Sequence, residues 1–198
     1  MKYIIMADGK GTRWQNYNDI PKHLALIDGE PVIKRTVRLI KETDEASEVI
    51  ITSHDERYEV EGALRYEPKN NVLEVDRFTF ELIEDDITFL YGDTVYSKEG
   101  IEKIASFETE DVEFFGNEKS IVAVKIHDSK GFIKAFQKVR NLFLDGKIEK
   151  CIGWQVYSAY LGREIYGDER DKIIGNNMVK VVDSDFNTPK EYITINGN

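Results

Sequence analysis

The segment Ile4-Ile5-Met6-Ala7-Asp8-Gly9-Lys10-Gly11-Thr12-Arg13 runs from an apolar, strand-like stretch into two glycines flanked by cations. Glycines just past a buried strand let backbone N–H groups approach phosphate oxygens with no Cβ in the way. Lys10, Arg13 and the nearby Lys22 bring the positive charge that a triphosphate demands. The third glycine of a dinucleotide fingerprint is missing, and no Gly-Lys-Ser/Thr closes the segment as a Walker loop would. An aspartyl-phosphate phosphatase would need a second Asp where Met6 stands. On its own, a glycine pair after a strand could equally be a tight surface turn.

Two carboxylate stations follow. Tyr91-Gly92-Asp93 ends another apolar run, and Asp183-Ser184-Asp185-Phe186-Asn187 ends a third. A hard cation such as Mg²⁺ takes one or two carboxylates and fills its remaining positions with water and phosphate oxygens. A lone Asp at a strand end is commonly a cap or turn residue, and Asn187-Thr188-Pro189-x-Glu191 reads as a helix cap with Pro at the helix start. The net charge of −10 leaves no basic footprint for nucleic acid. If the substrates are anionic, a few concentrated cations or bound metal must neutralise them.

The elements that would position these residues alternate between strand and helix patterns. Residues 2–7, 49–52, 87–91, 114–115, 121–126, 151–160 and 179–182 read as strands. Pro31 opens a helix to about Thr43, Ser97 caps one through Ile101 and Ile104, and Phe132, Phe136, Val139 and Phe143 mark a third. Such alternation predicts an α/β fold with a mostly parallel, mixed central sheet and helices on both faces. Ligands then gather at the carboxyl ends of the strands, in the loops after Ala7, Tyr91 and Val182. No linker or repeat divides the 198 residues, which are expected to form one domain. A single cysteine, Cys151, no apolar run of membrane-spanning length and no leader before the first strand predict a cytoplasmic protein without a membrane partner.

Ala7-x-Gly9-x-Gly11-Thr12-Arg13 followed by Pro21-Lys22-x-Leu24 resembles the signature of the sugar-phosphate and choline-phosphate nucleotidyltransferases. The resemblance implies a Rossmann-like nucleotidyltransferase fold and a Mg²⁺-dependent transfer from a nucleoside triphosphate to a phosphorylated small molecule. It implies that residues 7–12 (Ala7, Asp8, Gly9, Lys10, Gly11 and Thr12) wrap the nucleotide, with Arg13 on the triphosphate and Lys22 at the α-phosphate. Asp8 departs from the pattern, which has a small residue there. The Gly92-Asp93 pair is similar to the family's first Mg²⁺ station. For the second, the resemblance favours Asp185, with Asp183 and Asn187 as alternatives. The segment with Asn70-Asn71 is similar to one near the nucleotide in choline-phosphate cytidylyltransferases, which makes Asn71 a nucleotide-contact candidate, although Pro68-Lys69-Asn70-Asn71 is also an ordinary turn. The ending looks like that of small cytidylyltransferases, so CTP is the expected nucleotide. Capsule-pathway enzymes, including the type that activates phosphoglutamine, are the relatives suggested, and a homodimer stays open.

Two other readings compete. Asp183-Ser184-Asp185 could be the Asp-x-Asp metal motif of a glycosyltransferase, and the chain could bind nucleotide without turning it over. His23, His54, His127 and Cys151 lack partners at metal or triad spacing and read as loop or core residues. Trp14 could flank a ligand or pack. The aromatics of 153–157 fall where the family builds its acceptor pocket.

Overall fold

The computed structural model describes residues 1–117, 120–165, 178–181 and 183–196. Among these, strands β1 (Lys2–Met6), β4 (Glu48–Thr52), β5 (Leu64–Tyr66), β6 (Ile87–Tyr91), β8 (Val112–Gly116), β9 (Ile121–Ile126) and β10 (Val179–Lys180) form one sheet in the order β10-β8-β9-β6-β1-β4-β5. β1 runs parallel to β4 and β6, β5 parallel to β4 and β10 parallel to β8, while β9 is antiparallel to β6 and β8. The sheet is therefore mixed, as the alternating pattern predicts, and the short strands β2 (Leu26–Ile27) and β3 (Glu30–Pro31) form an antiparallel pair apart from it.

Side-chain alternation along β1 divides two cores. Ile4 and Met6 face a layer formed with Phe132, Phe136 and Val139 of helix α3 (Ser129–Leu144). Tyr3 and Ile5 face the opposite layer, where α1 (Val32–Thr43) contributes Ile33, Val37 and Ile40 and α2 (Lys98–Ser106) contributes Ile101 and Ile104. Ser97 caps α2 by accepting a hydrogen bond from Gly100 N–H (3.0 Å).

Residues 151–160 depart from the expected strand: helix α4 (Gly153–Tyr160) lies there and packs on α3. Their aromatic and β-branched content favours a strand locally, yet Trp154, Tyr157 and Tyr160 recur every third residue and fall on one helical face. Tyr157 stacks 4.6 Å from Phe114 of β8, and Gln155 turns its side-chain oxygen back to Ile152 N–H (3.3 Å), starting the helix. Tertiary packing overrides local preference. Of the expected strand 179–182, β10 holds the first two residues, and Val182 lies outside the described residues. No helix among the described residues is long and apolar enough to cross a membrane.

After β1 the chain moves through α1 to β4 and β5, then returns to the other side of β1 as β6. That reversal opens a crevice beyond the carboxyl ends of β1 and β6, where Met6 and Tyr91 lie in register.

Candidate active site

The crevice is a cleft lined by residues 9–13 of the glycine-rich loop, Lys22, His23, Arg77, Tyr91, Asp93 and Asn187. Gly92 makes the approach of the two strand ends possible. Its N–H donates to Met6 O (3.0 Å), and a Cβ at this position would stand 2.7 Å from that carbonyl and 3.1 Å from the His23 ring. Asp93 is thereby brought against Lys22, whose ammonium pairs with its carboxylate. Both side chains are largely shielded from water. Burial pushes the Asp93 carboxyl up, but its neighbours, Lys22 above all, outweigh that and hold the group below the usual range.

The C-terminal station arrives by backbone pairing. β7 (Thr94–Val95) and β11 (Ser184–Asp185) form an antiparallel pair, and Phe186 N–H donates to Asp93 O (3.2 Å). Helix α5 (Pro189–Asn196) follows. Thr188 is its cap: Glu191 N–H donates to the threonine hydroxyl (3.3 Å), and the Glu191 carboxylate accepts from the N–H groups of Thr188 (2.9 Å) and Asn187 (2.7 Å). With Thr188 in that role, the Asn187 side chain is free to enter the cleft. Its oxygen accepts from Arg13 (2.8 Å) and Lys22 (3.4 Å), while its amide nitrogen donates to Asp185 (2.7 Å). Asp185 also accepts from the Ser120 hydroxyl, so it sits behind Asn187 and sets which way the amide faces.

Asp183 stands apart from this constellation. It is buried at the start of α2, where its carboxylate accepts from Ser97 N–H (2.8 Å) and leaves no room for a side chain at Gly100. Burial raises its pKa against the lowering effect of the Ser97 bonds, and one oxygen has no hydrogen-bond partner. Asp183 and Asp185 thus hold different groups and do not converge as an Asp-x-Asp pair. Asp183→Asn, which keeps the acceptor for Ser97, is expected to retain turnover within a few-fold. Asp183→Ala should lose about 1 kcal/mol of stability as the buried acceptor for Ser97 N–H disappears. Melting curves and steady-state rates on the two variants check both.

Asp8 and Asn71 come together at the loop's start. Asp8 accepts from His54 N–H (3.0 Å) and meets the His54 ring nitrogen (2.8 Å), and Asn71 donates to both its carboxylate and its backbone carbonyl (2.7 Å each). His54, passed over in the sequence as a loop residue, is therefore a partner of Asp8. Its signal was its position straight after a strand. His23 is buried, bonded to the Tyr58 hydroxyl (2.9 Å) and held by burial down to about 4, so its ring is neutral at pH 7. Trp14 is a packing residue, 2% exposed, edge-on to Tyr17, Phe186 and Tyr192, with its indole N–H on Ile20 O (2.8 Å). Arg77 carried no signal in the sequence, because it lies in a short 3₁₀ turn (Glu74–Phe78) with no periodicity.

Among the described residues no three His, Cys, Asp or Glu side chains gather as a self-sufficient metal cage. What the cleft offers is an oxygen set, the Asp93 carboxylate and the Asn187 amide oxygen, both bonded to the Lys22 ammonium. A cation already favoured at that point, with hard oxygen donors and space for phosphate, fits Mg²⁺, which completes its shell from substrate and water.

No protein-family profile matches the chain. A Bacillus subtilis (strain 168) protein named "probable glucose-1-phosphate cytidylyltransferase" is 34% identical over 83 residues, 41% of this chain. The matched stretch spans only about a third of that protein's length (33%). The UTP-bound UGPase of Acinetobacter baumannii superposes with a TM-score of 0.61 at 12% identity, over 98% of this chain and 91% of its own. The CTP:phosphocholine cytidylyltransferase of Streptococcus pneumoniae gives 0.55 at 14% identity, over 99% and 97%. Sequence identities this low speak to architecture alone: the chain has the α/β fold of the sugar-phosphate and choline-phosphate nucleotidyltransferases.

Proposed function

We propose that this chain transfers a nucleotidyl group from a nucleoside triphosphate to a small phosphomonoester and releases pyrophosphate. The observation that carries this reading is the Lys22 ammonium held between Asp93 and Asn187 at the foot of a glycine-rich loop. An acceptor phosphate oxygen attacks the α-phosphorus. The new P–O bond forms as the bond to the β-phosphate bridging oxygen breaks, and the electron pair leaves with pyrophosphate. The attacking group is already ionised near neutral pH, so no general base is required. The protein's work is positioning and charge neutralisation. Arg13 and the loop N–H groups grip the leaving phosphates, and Lys22 stabilises charge at the α-phosphate. Asp93 and Asn187 would hold Mg²⁺, with Asp185 orienting the amide. When bound, the ion polarises phosphate oxygens and screens the two anions from each other.

CTP is the nucleotide we favour, supported by the cytidylyl names of two of the similar proteins, although a uridylyl enzyme has the same fold. The acceptor class is a phosphomonoester such as a sugar phosphate, phosphocholine or a phosphoglutamine-like compound, and surface polysaccharide or capsule synthesis is the role such a product serves. Asp8, pinned by His54 and Asn71, is the group we assign to the cytosine amine. Four triphosphates assayed against a set of phosphomonoesters, scored by pyrophosphate, test the reaction. CTP should exceed UTP in kcat/KM by about a hundredfold or more, as in sites built to hydrogen-bond a distinguishing group. Asp8→Asn should narrow that ratio. Equal values on the wild type would end the CTP assignment, and an unchanged ratio in the variant would remove Asp8 from base reading.

A further inference from the structure

Arg77 is a cation of the cleft to which the reaction as drawn gives no task. Its two neighbours in the chain are both buried anchors. Asp76 is 3% exposed and accepts from Leu73 N–H (2.9 Å), Val72 N–H (3.3 Å) and Arg140 of α3 (3.1 Å), which ties the turn to that helix. Phe78 is 2% exposed and sits edge-on to Phe89 (5.4 Å), Phe132 (5.2 Å) and Tyr91 (6.3 Å). Held on both sides, Arg77 lies against the glycine-rich loop. The point that a Cβ on Gly9 would occupy is 3.4 Å from its guanidinium carbon and 3.5 Å from both Nε and Nη2. Near-equal distances to three coplanar atoms put that point over the flat face of the group, not at its edge. The five N–H donors of a guanidinium lie in its plane, so resting on Gly9 uses none of them. Among the described residues the ion pair it makes, to the half-exposed Glu74, is long at 3.5 Å.

The loop it rests on decides what those donors meet. Residues 9–13 line the same cleft as Arg77, and they are the part of the chain that the proposed reaction gives to the triphosphate. Arg13 is bonded to Asn187, and the Lys22 ammonium to Asp93 and Asn187. Arg77 is tied to none of these groups, yet its charge is felt at Asp93, whose carboxyl it helps to lower. In a chain of net charge −10, a polyanion is held by the few cations set directly against it. We infer that Arg77 is a binding residue for the triphosphate, lying flat on Gly9 and turning its N–H edge to the phosphate chain that the loop wraps. A planar fork suits this task because it can bond two phosphate oxygens at once. Glycine at position 9 suits it too: the guanidinium lies at contact distance from even a methyl group there, and a longer side chain would displace it.

The inference rests on the proposed transfer reaction for the identity of its ligand, and its test separates the two. Wild type, Arg77→Gln and Arg77→Lys are compared by calorimetric titration with CTP and with inorganic tripolyphosphate, in EDTA so that the protein's own cations carry the binding. Steady-state kinetics with CTP and the best phosphomonoester follow, with Mg²⁺ restored. Arg77→Gln should raise the Kd for CTP and for tripolyphosphate by roughly 10- to 100-fold each, the span expected for lost charge-assisted hydrogen bonds. It should leave the KM for the phosphomonoester within about twofold. Arg77→Lys should recover part of both affinities, because charge returns without the fork. Melting curves tie the loss to the anion, and Arg77→Lys, which keeps an aliphatic stem against the loop, carries the comparison if Arg77→Gln unfolds. Equal affinities in wild type and variants would overturn the assignment. So would a CTP loss with tripolyphosphate unchanged, which would put Arg77 on the nucleoside, or a loss confined to the phosphomonoester. Failure of the wild type to release pyrophosphate with any pair would instead reject the transfer reaction. Tripolyphosphate binding that depended on Arg77 would even then support the anion site, and a wild type that did not bind tripolyphosphate would reject that site as well.

Discussion

Asp93→Ala is expected to lower the rate of pyrophosphate release by roughly a thousandfold or more, and chelation with EDTA to abolish it, since metal stabilisation of phosphoryl charge supplies several kcal/mol and each tenfold in rate is worth about 1.4. Asp93 is the carboxylate of the cleft that is bonded to Lys22, and Gly92 fixes where it stands. On the proposed reading, removing it would deprive Mg²⁺ of its charged ligand, and it frees Lys22 from the position it shares with Asn187. Asp93→Asn sharpens the test by keeping the size and an oxygen donor while discarding the charge. It should recover little activity, and excess Mg²⁺ should recover more of it than for Asp93→Ala. Full turnover in a metal-free assay would remove the metal from the reaction.

Lys22→Ala should reduce kcat by roughly 100- to 1000-fold, the loss seen when one preorganised donor to a developing anion is deleted. The KM for the triphosphate should change far less. The reason lies in what surrounds the ammonium. Paired with Asp93 and shielded from solvent, it is expected to give little to a ligand that merely arrives and, in the proposed reaction, to act on charge that grows at the α-phosphate. A variant with a raised KM and an intact kcat would make Lys22 a uniform binding residue. The same substitution strips the main counter-charge from Asp93, since Lys22 is the largest of the groups that lower its pKa against the effect of burial. Part of the effect will therefore appear as weaker metal dependence, and titrating Mg²⁺ at saturating triphosphate separates that component.

The legibility of these features in the sequence differs by kind. The glycine loop and Asp93 could be read because each follows an apolar run, and strand ends are where α/β sheets present ligands, whereas Lys22 was legible only through the spacing of Pro21-Lys22 after that loop. Helices α1, α2 and α3 were readable from period and caps. Helix α4 was not, since its aromatics favour a strand until the surface they pack on is known. Asp183, Asp185 and Asn187 are three polar residues at alternating positions. Which one faces the cleft depends on the β7–β11 pairing and on Thr188 taking the cap. Neither is a local property. Arg77 owes its direction to Asp76 and Phe78, whose partners, Arg140 and Phe132, lie far along the chain.

The bond from Arg13 to Asn187 joins residues 174 positions apart, and the small aromatic cluster of Trp14, Phe186 and Tyr192 closes the same span. Bringing such distant segments together is entropically late work in folding. The parallel core of β1, β4 and β6 draws on the first half of the chain and can form before the far segment docks. The cleft is thus expected to pass through a stage in which the loop and Asp93 are in place while the wall bearing Asn187 is missing. Gain of function would then trail gain of secondary structure, because the chain becomes competent only when its two most widely separated motifs meet.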